Sequence, residues 1–243
     1  KSFPTRSTGM VLFTSAAVVI TGVANKTIPV DLVGKDFGWK IDDDSNVTKV
    51  SAFMVNEEKI GVYQNCGKKD WWADKLPANV TIYQTINELK NSDSKGYLII
   101  TDEIVDDNSL LQNAVVYRPP SLVVGVGLHW DTAKGTIKDG LMSCMNKFKL
   151  SEKSIARFVS IKKEKDVVGL VELAKEMSIH IQYFKKEELA SIATPNPSKT
   201  VQTFEGTPSV SEAAAIRSSE GKLVVEKQKF PPNLTIAIAR IPN

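Results

Sequence analysis

Strand-like and helix-like segments alternate along this chain, which predicts an α/β protein in a small multi-domain arrangement. A smaller α/β domain is expected over 27–120, followed by a C-terminal sheet flanked by helices over 121–243. Three observations carry this. The stretch Leu122–Thr136 starts as a Val-rich apolar run, passes Gly125 and Gly127, and enters a helix-start signal, so it reads as strand, tight loop and helix N-terminus. Downstream, Arg157–Ile161 and Ile179–Phe184 read as strands, each followed by a helical pattern, over Val167–Met177 and Lys186–Ile192. Upstream, Pro119-Pro120 can continue neither a helix nor a central strand, and marks the boundary between the two parts.

The elements follow in order. Lys1–Thr21 runs through a Ser/Thr/Gly stretch into one apolar segment, Met10–Ile20, with no partner nearby in sequence. Pro29–Phe37 has the spacing of a short amphipathic helix ending at Gly38. Val47–Val55 places Val47, Val50, Phe53 and Met54 on one helical face, and Lys59–Gln64 alternates as a strand. Trp71 and Trp72 stand side by side in a polar loop; neighbouring side chains diverge, so at least one is expected at the domain surface, against another domain or a flat ligand. Val80–Tyr83, Gly96–Asp102 and Val115–Arg118 read as strands, with a short helix over Ile86–Leu89. At the far end, Leu223–Val225 and Leu234–Ala239 are strands, with Lys227 and Lys229 between them.

Composition narrows the function. Thirty-one Lys and Arg against 28 Asp and Glu leave a formal charge of +3, well interspersed, so nothing calls for nucleic acid. Met10–Ile20 is too short to span a bilayer and lacks a signal peptide's layout, so no membrane association and a cytoplasmic location are expected. Cys66 and Cys144 have no C-x-x-C partner, which disfavours zinc and a disulfide framework and fits a reducing compartment. Pairing of two copies into a homodimer stays compatible with all of this.

Two helix starts carry the chemistry that can be read. At the first, Gly125 and Gly127 open backbone angles closed to other residues, and Asp131 or Thr132 caps the helix through Ile137, Leu141 and Met145. At the second, Gly206–Ser219 brings Thr207, Ser209 and Ser211 ahead of a small-residue helix. Both would present N–H groups to an anion. A bare G-x-G with no third glycine keeps a nucleotide-binding module only as an alternative. Ser209-x-x-Glu212 has the spacing of a capping box, in which the acid bonds back to the Ser209 amide; as a general base Glu212 would instead need an apolar setting. His129, at a strand end, is placed to touch substrate, whereas His180 belongs to a strand. Lys227 and Lys229 could neutralise carboxylates. A Ser-His-Asp hydrolase lacks its G-x-S-x-G elbow here.

Gly125-Val126-Gly127, Gly206–Ala215, Leu223–Lys227 and Thr235–Arg240 resemble, in order and spacing, the C-terminal domain of the cobalamin biosynthesis protein G (CbiG) family. Gly38-Trp39, Val55-Asn56, Gly61–Gln64, Trp71-Trp72 and Tyr117–Pro120 resemble its middle domain. The resemblance makes 1–26 a remnant of the family's front α/β domain, whose Gly-His-x-Gly-Gly-Ala-Asn segment does not occur here. Leu128-His129-Trp130 also departs from the many relatives with a cysteine and arginines there. What the resemblance implies is hydrolysis of cobalt-precorrin-5A: opening of its ring-A δ-lactone and release of acetaldehyde to give cobalt-precorrin-5B. On this reading the partner is a cobalt-corrinoid small molecule, the cobalt travels in the substrate, and the protein needs no cofactor or metal of its own. Glu212 and His129 are then the acid–base candidates, and Gly125, Gly127, Thr207, Ser209, Ser211 and Lys227 the substrate-binding ones. The alternative is a non-catalytic carrier of corrinoid intermediates. Either way, Gly125–Gly127 and Thr207–Ser211 are expected to share one cleft.

Overall fold

The computed structural model describes residues 27–198, Thr203 and 207–243. The expected remnant at Met10–Ile20 and the glycine at Gly206 lie outside the described residues.

Two five-stranded sheets organise the chain. The first is built from β1 (Lys40–Ile41), β2 (Ile60–Gln64), β3 (Val80–Tyr83), β4 (Gly96–Ile100) and β5 (Ala114–Arg118), in the order β1-β5-β4-β2-β3. β2, β3, β4 and β5 run parallel and β1 closes the edge antiparallel to β5. A parallel sheet must be covered on both faces. Helix α1 (Val47–Val55) buries Val50 and Met54 against Leu98, Ile100, Val115 and Tyr117 on one face. On the other, α2 (Ile86–Lys90) and α3 (Asn108–Leu111) set Leu89 and Leu110 against Ile99 and Val116.

The helix expected over Pro29–Phe37 is instead a series of turns ending in a single 3-10 turn, Lys35–Phe37. Gly34 is the reason: it sits in the left-handed region at φ 67°, and a Cβ there would lie 2.0 Å from the Trp39 ring, so the chain bends where a helix would continue. Trp71 and Trp72 are both half-buried against the first core, with their indole N–H groups donating to Gln64 Oε1 (2.9 Å) and the Lys75 carbonyl (3.2 Å). Neither ring is left as an open platform.

The second sheet is built from β6 (Leu122–Leu128), β7 (Ile155–Ile161), β8 (Ile181–Phe184), β9 (Lys222–Phe230) and β10 (Leu234–Arg240), in the order β8-β7-β6-β10-β9. β6, β7 and β8 are parallel; β10 runs antiparallel to both β6 and β9. Helices α4 (Lys134–Lys147) and α5 (Val168–Glu176) cover one face, with Ile137, Leu141, Met145, Leu170 and Leu173 on Leu122, Val124, Val126 and Leu128. The opposite face carries α6 (Lys186–Ala190) and α7 (Val210–Ser219) over Val123, Val159 and Ile161.

The strand period of 2 therefore decides the role of the two glycines. With the even-numbered residues of β6 facing α4, Gly125 and Gly127 fall on the face that α7 covers. They lie inside the strand, not in a loop beyond it. A Cβ on Gly125 would stand 1.9 Å from the Ser211 carbonyl oxygen, so the missing side chain is what lets α7 lie against β6. Nor do Asp131 and Thr132 cap the helix that follows: its N-cap is Ala133, without a side-chain bond, and the Thr132 hydroxyl donates to the His129 carbonyl at 2.9 Å.

Charged residues pin the two sheets together. Asp102, fully buried after β4, accepts from Arg240 Nε (2.8 Å) and Nη2 (2.5 Å) and from the Ser121 hydroxyl (2.7 Å). Asp42, after β1, accepts from Arg118 Nη2 (2.8 Å) and pairs with Lys153 (3.0 Å). Burial pushes the Asp42 pKa up, but the Arg118 and Lys153 cations outweigh it and hold the carboxyl below its ordinary value of 3.8. Between the folded and unfolded pKa values the unfolded chain holds more protons, so this stabilisation is complete above the ordinary value and is lost as pH falls through the folded one. Asp42→Asn is accordingly expected to flatten the acid limb of a stability-versus-pH curve below 3.8 and to leave its slope near neutrality unchanged. Urea midpoints measured across that range check it.

Candidate functional site

Where β6 and β7 end, a cleft of about 420 Å³ opens at the edge of the second sheet. Its wall includes Gly127, Leu128 and His129 from the end of β6, Ile161 and Lys163 from the end of β7, and Lys227 and Lys229 from β9. Ser209 and Val210 at the start of α7 close it, with Pro232 and Asn233 at the β9–β10 turn and Thr235 in β10. The carboxyl end of parallel strands is where open α/β sheets place ligands.

Lys227 and Lys229 lie within β9, which is longer than the expected Leu223–Val225 and includes both lysines. Their side chains reach the cleft because β9 is irregular beside them. Val225 pairs with Ile238 and Gln228 with Ile236, so Glu226 and Lys227 together oppose the single residue Ala237. Such a bulge re-aims a side chain and takes a backbone N–H out of the ladder. Here the freed Lys227 amide donates to Glu212 Oε1 at 3.1 Å.

Glu212 is fully buried, and its carboxylate also accepts from the Asn196 amide (3.2 Å) and the Asn196 side chain (2.8 Å). This corrects the expected local geometry. The capping box does not form, since Glu212 turns to Asn196 and Lys227 and the Ser209 side chain caps no amide. Glu212 is absent from the cleft wall, and three N–H groups already occupy its carboxylate. Its carboxylate fixes the bulge and the loop around Asn196.

The other candidates divide cleanly. Gly127, His129, Ser209 and Lys227 line the cleft, Ser209 with only 1% of its surface exposed, whereas Gly125, Thr207, Ser211 and Glu212 are buried and absent from its wall. The two segments expected to share a cleft do meet, but Gly125 is closed over by Ser211 and contacts the helix in place of a ligand. His129 is half exposed, with Nδ1 2.6 Å from Asp131 Oδ1; that contact holds the Asp131 carboxyl below its ordinary value. His180 precedes β8 and is exposed. Lysine chemistry is altered too: burial first, then repulsion from Lys229, draws the Lys227 pKa below the ordinary 10.5, against an upward pull from Glu212. Lys227 Nζ donates to the Asn196 carbonyl and lies 3.5 Å from the Ser209 hydroxyl. Sequence reasoning missed Asn196 as a partner of Glu212; a polar residue between prolines offers no signal for a contact made through the fold. Among the described residues no group of three or more His, Cys, Asp and Glu could hold a metal ion, and no helix is long and apolar enough to cross a membrane.

Two family models divide the chain as its sheets do: "Cobalamin biosynthesis central region" matches 28–119 and "Cobalamin synthesis G C-terminus" matches 122–239. The chain belongs to the CbiG family. A relative in Priestia megaterium, described as cobalt-precorrin-5A hydrolase, is 35% identical over 242 residues, covering 98% of this chain and 65% of its own length. The chain thus spans just under two thirds of that relative. Among solved structures, a cobalamin biosynthesis protein G homologue from Sulfolobus solfataricus is 18% identical over 88% of this chain and 61% of its own, with a TM-score of 0.43. CobE, a protein from the cobalamin (vitamin B12) biosynthetic pathway, is 24% identical over 50% of this chain and 91% of its own, with a TM-score of 0.47. This CbiG member is built on two mixed five-stranded sheets with flanking helices.

Proposed function

We propose that this chain acts as a cobalt-precorrin-5A hydrolase, opening the ring-A δ-lactone of that intermediate and releasing acetaldehyde to give cobalt-precorrin-5B. The observation that carries the reading is the cleft itself: Lys227, Lys229 and His129 border a largely apolar hollow beside the first turn of α7. A macrocycle bearing several carboxylates is matched by that combination, cations for its acidic arms and apolar wall for its ring edge. The hydrolase name of the Priestia megaterium relative supports the same reaction.

Lactone opening requires an activated oxygen nucleophile at the carbonyl, donors for the oxyanion and a proton for the departing ring oxygen. The cobalt enters and leaves with the substrate, and this reading asks for no resident metal or cofactor. Free, buried Cys66 and Cys144 fit a reducing cytoplasm, with burial pushing their thiols up to about 12 and about 11.

The test is incubation of the purified chain with cobalt-precorrin-5A under anaerobic conditions, with acetaldehyde assayed and the corrinoid product weighed by mass spectrometry. Stoichiometric acetaldehyde is expected. Tight binding of the intermediate without turnover would overturn the hydrolase reading in favour of a carrier.

A further inference from the structure

Ser209 occupies the N-cap of α7, where a serine hydroxyl ordinarily accepts from an amide of the first turn. Here it does not. The hydroxyl of Ser209, a residue 1% exposed at the cleft wall, instead accepts from Lys227 Nζ at 3.5 Å, with no cap bond. The residue that would complete the capping box, Glu212, is turned inward to hold the β9 bulge that carries Lys227. The Asn196 carbonyl takes a second hydrogen bond from the same ammonium, and Asn196 is itself clamped by Glu212 and Glu226. Three separate departures from ordinary local structure, an unused cap, a diverted carboxylate and a strand bulge, thus converge on one Ser–Lys contact.

We infer that Ser209 and Lys227 form a nucleophile–base pair, with Ser209 attacking the lactone carbonyl and Glu212 acting as the positioning residue that sets Lys227 against it. This deepens the lactone-opening reading and rests on it. Serine–lysine pairs are a known variant of nucleophile–base chemistry, and such contacts are commonly longer before substrate is bound. Neutral Lys227 takes the Ser209 proton as Oγ bonds to the carbonyl carbon; the ring C–O bond breaks, and the departing alkoxide receives that proton. Water then attacks the Ser209 ester, giving up a proton through Lys227 to the serine oxygen as it leaves, so one lactone and one water yield one hydroxy acid. Of the first-turn residues of the α7 helix, Val210 lines the same cleft, and its N–H, which has no partner within the helix, is the donor assigned to the developing oxyanion.

The surroundings of Lys227 ease loss of its proton relative to an ordinary lysine. Burial and Lys229 lower its pKa, while Glu212 works the other way; Lys163 and His129 line the same cleft, and Glu226 stands behind Asn196. The turnover rate should therefore rise with pH along a limb below the ordinary lysine value of 10.5.

The experiment uses the full chain and two readouts. Turnover of cobalt-precorrin-5A by Ser209→Ala and Lys227→Met should fall by about 10²–10⁴-fold in kcat with a smaller change in KM. The melting temperature of Ser209→Ala should match the parent, since its hydroxyl caps nothing. Glu212→Gln should lower kcat less and move the ascending pH limb, which a merely structural role would not do. Independently, a fluorophosphonate probe followed by peptide mass spectrometry should label Ser209 in the parent and not in Lys227→Met. Ser209→Ala with kcat within about threefold of the parent, or labelling at another residue, overturns the pair. No turnover by the parent, alongside Lys227-dependent labelling of Ser209, leaves the pair standing and sinks the substrate reading.

Discussion

Asp102→Ala is expected to destabilise the chain by about 3 kcal/mol, near the lower end of what breaking one side of a buried ion pair costs. Asp102 is fully buried and receives both the Nε and Nη2 groups of Arg240 together with the Ser121 hydroxyl. Burial works to lower the Arg240 pKa, and Asp102 and Glu103 overcome it, so the guanidinium stays cationic. Without the carboxylate its remaining ion-pair partner among the described residues is Glu103, which is half exposed and screened by water. The pair also ties the end of β10 to the loop after β4, so its loss should loosen one half of the molecule from the other. Urea unfolding followed by far-UV circular dichroism measures the size of the effect. The double variant Asp102→Ala/Arg240→Ala should be less destabilised than the sum of its single variants, because the stranded cation is gone. Full additivity would show that the pair carries no coupling.

Gly125→Ala is the second large effect, with a loss of about 3 kcal/mol at the upper end of overpacking costs. The new methyl would meet the Ser211 carbonyl at 1.9 Å and the Ala215 Cβ at 3.0 Å, and backbone cannot swing aside as a side chain can. Helix α7 would have to lift from β6, carrying Ser209 and Glu212 with it. Gly127→Ala provides the contrast. Its Cβ would meet mainly the Thr235 hydroxyl at 2.4 Å, which can rotate, so a smaller loss of about 1 kcal/mol is expected. Thermal unfolding of both variants checks the ranking, and equal melting temperatures would refute it.

These two glycines also show where the sequence is legible and where it is not. Period-2 and helical spacing located β6, β7, β8, α1 and α5 because those signals are local, written within a dozen residues. The G-x-G was read as a ligand loop, yet the same spacing inside a strand places both glycines on one face. Leu122, Val124, Val126 and Leu128 occupy the other face, and a helix with Ala213, Ala214 and Ala215 lies opposite. Reading the run by strand period and matching it to the small-residue helix would have found that contact. Glu212 was harder. Its helix is buried all along Val210–Ala215, a hint that the carboxylate must find internal donors, but those donors are Asn196 and a bulge in β9. Bulges and loop contacts are set by packing between distant segments, so spacing within the helix pointed to a capping box instead.

Residues near the site were recovered in part for the same reason. His129, Ser209, Lys227 and Gly127 were each marked by local chemistry, at strand ends and helix starts, and line one cleft. Their division into wall and support depends on burial, which single-residue chemistry does not encode.

A crystal structure of the Ser209→Ala chain with an unreacted corrinoid lactone is the most direct measurement. The account places the lactone carbonyl in the cleft between β6, β9 and α7, with its carbon facing position 209, Lys227 within hydrogen-bonding reach, and a peripheral carboxylate on Lys229. Density for the lactone in the separate crevice lined by Tyr63, Lys90 and Glu103, with the cleft empty, would contradict it.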